Sequence, residues 1–215
     1  VIDHHQTSEP FDATIVLETK AASTTEILYK IFKEYNPKAI DLTIATLIFA
    51  GLMTDSGALS FSSATADSYR IASELVALGV DNYMIIRRLI KETSPETFDL
   101  TNGALSRAKF FLEGRLGIIA FSNSDFKETG SAPEDTEGVI NRIIDITTVK
   151  VAVSLAEIGE NAYKVGIRSK DGVNSAAIAG EFGGGGHFYA SGCRIYAPYD
   201  EAVKKIVEAV NKFIN

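Results

Sequence analysis

The three histidines of this chain sit in two short clusters, Asp3-His4-His5 near its start and His187 at the end of Phe182-Gly183-Gly184-Gly185-Gly186-His187. Imidazole is the commonest metal ligand and the usual proton carrier near neutral pH, so this economy points to chemistry rather than packing. Adjacent residues at a strand end point apart, which lets one imidazole bind a metal while its neighbour faces a substrate. Asp3 can steady a ring by accepting its second N–H. A further cluster, Gly51-Leu52-Met53-Thr54-Asp55-Ser56-Gly57, ends an apolar segment in a carboxylate among small residues that leave it accessible. Such a carboxylate suits Mn²⁺ or Mg²⁺ and can bridge two ions. By local sequence alone, Asp55 suits an N-cap or an Asx turn equally well.

Four consecutive glycines, Gly183, Gly184, Gly185 and Gly186, open backbone geometries closed to other residues and let N–H groups converge on an anion. Upstream, Gly166-Ile167-Arg168-Ser169 offers a guanidinium suited to bidentate phosphate recognition. Phe182, Phe188 and Tyr189 flank the run, favour an ordered turn over a flexible linker, and are of a type that stacks bases.

The elements that must position these groups follow from periodicity and end signals. Val1-Ile2 reads as the tail of a buried strand presenting Asp3 to His5 at its C-terminal end, where ligands bind in open α/β sheets. A short β-rich run covers 13–18. Ser23-Thr24-Thr25-Glu26 opens a helix that stops before Asn36-Pro37. A continuously apolar, buried helix is expected over 41–53, a third over 65–78 ended by Gly79, and a fourth from Asp81 to about 89. Ser94-Pro95-Glu96 starts a long helix to about 112. Beyond it we expect strands at 116–121, 149–157, 162–168 and 193–196, with helices at 134–145, 175–182 and 199–213.

The 215 residues are 46% hydrophobic, enough for two modest cores, and the net charge of −7 excludes a basic footprint for gripping long nucleic acid. Any phosphate substrate must then be held by metal ions and a few placed cations. A single cysteine, Cys193, reads as a small buried residue and fits a reducing, cytoplasmic setting. No apolar run approaches the ~20 residues that span a bilayer. The chain opens on Val1 rather than methionine and runs straight into a motif, so we expect a piece of a longer protein.

Together the clusters resemble the DHH phosphoesterase family in the form that carries a DHHA1 domain. Asp3-His4-His5 matches the motif that names the family, Met53-Thr54-Asp55-Ser56-Gly57 with Phe61 its later aspartate motif, and Gly183 to His187 with Ala190-Ser191-Gly192 the DHHA1 signature. The resemblance implies an α/β fold: the C-terminal part of a parallel-sheet DHH domain (1–94), a linker helix (95–112) and a smaller α+β DHHA1 domain (113–215). It implies a phosphoesterase for short oligoribonucleotides, linear or cyclic dinucleotides or 3′-phosphoadenosine 5′-phosphate, using two Mn²⁺ ions (or Mg²⁺) held between the domains. His4 and Asp55 would bind metal, and Asp3 and His5 would serve catalysis. Arg168, Ser169, Gly183, Gly184, Gly185, Gly186 and His187 would hold a short single-stranded RNA or nucleotide, with a homodimer as the expected assembly. The family's earlier ligand motifs lie upstream of DHH, and this chain holds neither a fourth histidine nor any Asp-x-Asp pair. The fragment alone is therefore expected to bind metal poorly and to be inactive.

Other readings stay open. A processive single-strand DNA exonuclease of the same family normally needs an added nucleic-acid-binding domain, and polyphosphate or pyrophosphate hydrolases usually lack the four-glycine stretch. A non-catalytic RNA- or nucleotide-binding module, as in DHHA1-like domains attached to alanyl-tRNA synthetases, has no need of the DHH and Asp55 motifs.

Overall fold

The computed structural model describes residues 1–5, 12–136 and 138–214. The chain divides into two units, Val1–Glu92 and Thr93–Asn215.

In the first unit, β1 (Ile2–Asp3) pairs in parallel with β2 (Val16–Leu17), Ile2 opposite Val16. Then follow α1 (Thr24–Tyr35), α2 (Leu42–Asp55), α3 (Ala66–Ala77) and a short α4 (Asn82–Ile86), which runs into a π-helical turn over Arg87–Lys91. Each helix starts where a side chain can take up an orphan backbone N–H: Ser23, Asp41, Thr65 and Asp81 each accept from the amide three residues on. The core gathers Tyr29 from α1, Ile48, Phe49, Leu52 and Met53 from α2, and Ile71 and Leu75 from α3. At Gly51, a side-chain carbon would overlap Thr25, so the glycine brings α1 and α2 close one turn before Asp55.

Two expectations need correcting here. Val1 and Ile2 are exposed rather than buried, because the two-residue β1–β2 ladder has little to cover its faces. The apolar α2 is buried along one side only: Leu42 and Leu47 are exposed, since its neighbours α1, α3 and α4 pack against the stripe of Ala45, Ile48, Phe49 and Leu52.

The second unit opens with α5 (Pro95–Ser106), followed by β3 (Lys109–Phe111), β4 (Leu116–Phe121), α6 (Asn123–Thr129) and α7 (Val139–Ile144). Next come β5 (Val151–Gly159), β6 (Ala162–Ser169), α8 (Ser175–Gly180), β7 (Gly185–Gly186), β8 (Ala190–Tyr196) and α9 (Tyr199–Asn211). The six strands form one sheet in the order β3-β4-β5-β6-β8-β7, antiparallel except for the parallel pair β4–β5.

Period-2 alternation divides its side chains between two cores. Val151, Val153 and Leu155 of β5 and Val165 and Ile167 of β6 pack with α8 and α9, whereas Ala152 and Ala156 face Leu100 of α5, Phe126 of α6 and Ile140 and Ile143 of α7. The mixed α/β class expected from sequence is what the chain adopts.

The helix expected over 95–112 ends at Ser106 and groups with the second unit, and Lys109–Phe111 forms an edge strand against β4 instead. A turn with positive φ at Leu112, Glu113 and Gly114 folds that β-prone segment back into a hairpin, which a continuing helix does not permit. The helix expected over 134–145 is a 3₁₀ turn (Pro133–Thr136) and then α7, residue 137 lying outside the described residues.

Candidate functional site

The chemistry-bearing residues of the first unit gather at element ends. Asp3 closes β1, and its Oδ1 accepts from the backbone N–H of His4 (2.7 Å) and of His5 (3.1 Å) and from His5 Nδ1 (2.6 Å). His4 Nδ1 lies 3.2 Å from the Ala21 carbonyl oxygen. A carbonyl or a carboxylate only accepts, so each ring has its hydrogen on Nδ1 and, in the neutral form, its lone pair on Nε2. The two ring centroids lie 4.5 Å apart with their planes tilted by 59°, so the imidazoles pack side by side rather than pointing apart as neighbours on an extended strand do.

Asp55 is the last residue of α2, and Thr65 rather than Asp55 caps α3, so the N-cap alternative is excluded. Its Oδ2 stands 3.7 Å from His4 Nε2. Two atoms each about 2.1 Å from one ion lie no more than about 4.2 Å apart, so imidazole and carboxylate fit as joint ligands of a single divalent cation. A carboxylate on the last turn also faces the negative end of the helix dipole, an arrangement that favours a cation beside it. Among the described residues no group of three or more His, Cys, Asp or Glu could hold a metal ion. The rest of the Asp55 motif is structural. Ser56 is buried, donating to the Leu52 carbonyl and accepting from Leu59 N (3.0 Å), and Gly57 has φ +56° with the Phe61 ring where a side chain would stand.

In the second unit, Arg168 pairs across the sheet with Ala190, and His187 closes the adjoining turn, its N–H donating to the Ala190 carbonyl (2.7 Å). Ser175 Oγ donates to the His187 carbonyl (3.2 Å), tying the turn to the start of α8. Arg168, Ser169 and His187 are thus brought to one end of the β6–β8 pair. Ser169 is buried, its Oγ donating to the Val173 carbonyl (2.7 Å) and its N–H to Tyr189 (3.1 Å), so its hydroxyl is directed into the fold.

The glycines divide by role. A side-chain carbon at Gly184 would overlap the Gly192 carbonyl, and one at Gly186 (φ +144°) the Ala190 carbonyl, whereas Gly183 (φ +70°) and Gly185 border open space. Beside them a cavity of about 580 Å³ is lined by Phe182, Gly183, Lys164, Arg194 and Tyr196 among others. Lys164 lies in the same cluster as Arg168, but the sequence alone assigns no role to it or to Arg194. Lys164 shares a strand face with Arg168, but its pairing opposite Arg194 depends on β6–β8 register, which neither strand reveals alone. Cys193 is buried as expected, and burial pushes its thiol up to about 11.

Residues 118–215 match the family model of the DHHA1 domain. The chain is 30% identical, over 98% of its length, to a Thermus thermophilus protein named bifunctional oligoribonuclease and PAP phosphatase NrnA, and 26% identical over 94% to the Bacillus subtilis protein of that name. It spans 63% of the length of each. A crystal structure of an exopolyphosphatase-related protein from Bacteroides fragilis superposes with a TM-score of 0.90 at 28% identity, covering 99% of this chain and 63% of that one. The second unit therefore carries a DHHA1 domain. That domain, and the similarity along nearly the whole chain, support the resemblance to DHH-family proteins that bear one.

Proposed function

We propose that this chain is part of a metal-dependent phosphoesterase that hydrolyses short oligoribonucleotides and nucleotide phosphomonoesters such as 3′-phosphoadenosine 5′-phosphate. The observation that carries the reading is the approach of His4 Nε2 to Asp55 Oδ2, two donor atoms 51 residues apart in sequence and 3.7 Å apart in space. The similarity to the two oligoribonuclease and PAP phosphatase proteins supports the substrate class.

His4 and Asp55 would hold a divalent cation, Mn²⁺ or Mg²⁺, and by family resemblance a second ion would share the site. Such ions supply positive charge against the phosphoryl oxygens and a nucleophile at neutral pH. The chain's own groups do the positioning. Asp3 accepts from both backbone amides after β1 and holds the His5 ring by its Nδ1, and that ring can donate to or accept from a phosphate oxygen according to its protonation. In the second unit, Arg168 and the open glycines Gly183 and Gly185 would bind phosphate groups of a short nucleotide chain, with His187 beside them. Gly184 and Gly186 act indirectly, by letting the turn lie against β8.

The test uses the intact protein with Mn²⁺, given a diribonucleotide, 3′-phosphoadenosine 5′-phosphate or inorganic polyphosphate in separate reactions. We expect release of mononucleotide or phosphate from the first two, abolished by a chelator and restored by added Mn²⁺. Turnover of polyphosphate alone would transfer the reading to a polyphosphate hydrolase, and metal-independent binding of RNA without turnover would reduce the chain to a binding module.

A further inference from the structure

His4 is the more enclosed partner of the Asp55 pair, its side chain 14% exposed against 45%, and its ring is oriented by a backbone carbonyl, that of Ala21. That carbonyl belongs to a buried stretch between β2 and α1, Ala21-Ala22-Ser23, so whatever holds the stretch holds the imidazole. The carboxylate of Glu26 does this. It is 1% exposed, and its Oε2 accepts from the Ala22 backbone N–H (3.3 Å) and from Ser68 Oγ on α3 (2.7 Å).

Its Oε1 lies 3.1 Å from Lys30 Nζ, which also reaches Glu18 at 2.7 Å. The Glu18 N–H in turn donates to the Asp3 carbonyl (3.1 Å), and the Ala21 N–H to the Glu18 carbonyl (3.0 Å). The contacts make a closed circuit from Asp3 through Glu18, Lys30, Glu26 and Ala21–Ala22 to His4. Burying a carboxylate is costly, and an apolar side chain of similar volume commonly serves a core at least as well. What the carboxylate adds is a defined place for the Ala22 amide relative to α3.

We propose that Glu26 is a positioning residue for His4: by holding the Ala22 amide it fixes the Ala21 carbonyl, which keeps the His4 hydrogen on Nδ1 and turns the Nε2 lone pair toward Asp55. Its relevance to catalysis rests on the metal-dependent reading above, but the tautomer itself is measured without metal. Long-range ¹H–¹⁵N spectra of the intact, metal-free protein report which ring nitrogen of His4 carries the hydrogen, and Mn²⁺ affinity is read separately by paramagnetic resonance.

With Glu26→Ala we expect the single Nδ1–H signature of His4 to become a mixture and Mn²⁺ affinity to fall about 10–100-fold, the range for losing a group that orients a ligand. Glu26→Gln keeps an oxygen for Ala22 and Ser68 and should restore both. A folded Glu26→Ala protein with the wild-type His4 signature overturns the proposal. Should that variant not fold, Ser68→Ala decides: it removes one of the two donors to Oε2, a smaller change toward the mixture is expected, and an unchanged signature overturns the proposal equally. Wild-type protein that binds no Mn²⁺ would sink the metal reading, while the tautomer still decides whether Glu26 sets His4.

Discussion

The Asp3–His5 and Asp55 cluster and the glycine turn at 183–187 are both motif-dense, yet they are assembled by opposite means. The first is made of side chains at element ends: a carboxylate gathering two amides and an imidazole, a second imidazole leaning on a carbonyl, and a carboxylate on a helix's last residue. The second is made of backbone packed on backbone, with Gly184 and Gly186 set where any side chain would collide with β8. A motif residue of the first kind can be replaced with little cost to the fold but at the expense of the chemistry. A motif residue of the second kind supports the fold first, and function only through it.

The largest effect that sharpens this contrast is expected at Asp55. Asp55→Asn removes a charge that the proposed cation needs, and loss of several kcal/mol of electrostatic stabilisation corresponds to a fall of at least about 10²-fold in hydrolysis rate. The same change relieves the unfavourable placement of a carboxylate at a helix C-terminus, worth about 0.3–1 kcal/mol. Denaturant unfolding should therefore show stability unchanged or slightly raised while activity collapses. A loss of stability that parallels the loss of activity would make Asp55 a structural residue and break the comparison.

Gly184→Ala tests the other side. Its new carbon meets the Gly192 carbonyl and Cys193, backbone and packed side chain that cannot turn aside, so strain of about 1–3 kcal/mol is expected in the second unit. Because burial holds the Cys193 thiol up to about 11, it reacts slowly with alkylating reagents near pH 8 in the folded state, and faster labelling of this buried cysteine reports the loosening directly. Gly185→Ala, which meets open space, is the paired control and should leave labelling unchanged. Equal effects at both positions would mean that the run is uniformly flexible.

How much of this was legible in the sequence depends on the distance over which each residue acts. Ser23-Thr24-Thr25-Glu26 marks a helix start, and α1 begins there with Ser23 as cap. The role of Glu26 was hidden in the same four letters: its carboxylate passes over Ser23 to the Ala22 amide and reaches Ser68, 42 residues on, a partner that local pattern does not name. Ser122 and Asp125 form a reciprocal cap that starts α6, an element absent from the expected pattern although both residue types suit the motif. The positions of β4, β5, β6 and β8 follow from alternation, but the parallel β4–β5 pair does not, because periodicity shows which residues share a face and not which strand lies beside it. The four-glycine run reads as one phosphate cradle, whereas two of its members answer to β8, a division visible only once Gly185 is paired with Gly192.

The smallest expected effect separates the two construction principles by pH. In the first unit Glu74 of α3 accepts from the Tyr29 hydroxyl and the Lys33 ammonium of α1, and from Arg70. These contacts, the Tyr29 hydrogen bond foremost, hold its carboxyl down at about 2, against an ordinary value of 4.5. A depressed folded-state pKa means that the contribution is complete above about pH 4.5 and is lost as pH falls through about 2. The group is partly exposed and so screened by water and salt, which keeps the loss small and makes it weaker at high ionic strength. The glycine turn is tied by backbone amides and by the hydroxyls of Ser175 and Ser191, which do not titrate in that window. Amide exchange followed from pH 5 toward pH 2, with rates corrected for intrinsic pH dependence, should show α1 and α3 losing protection before β8 does. Glu74→Gln should remove much of that difference, whereas protection lost equally in α3 and β8 would show that acid acts on the chain as a whole and not through this side-chain network.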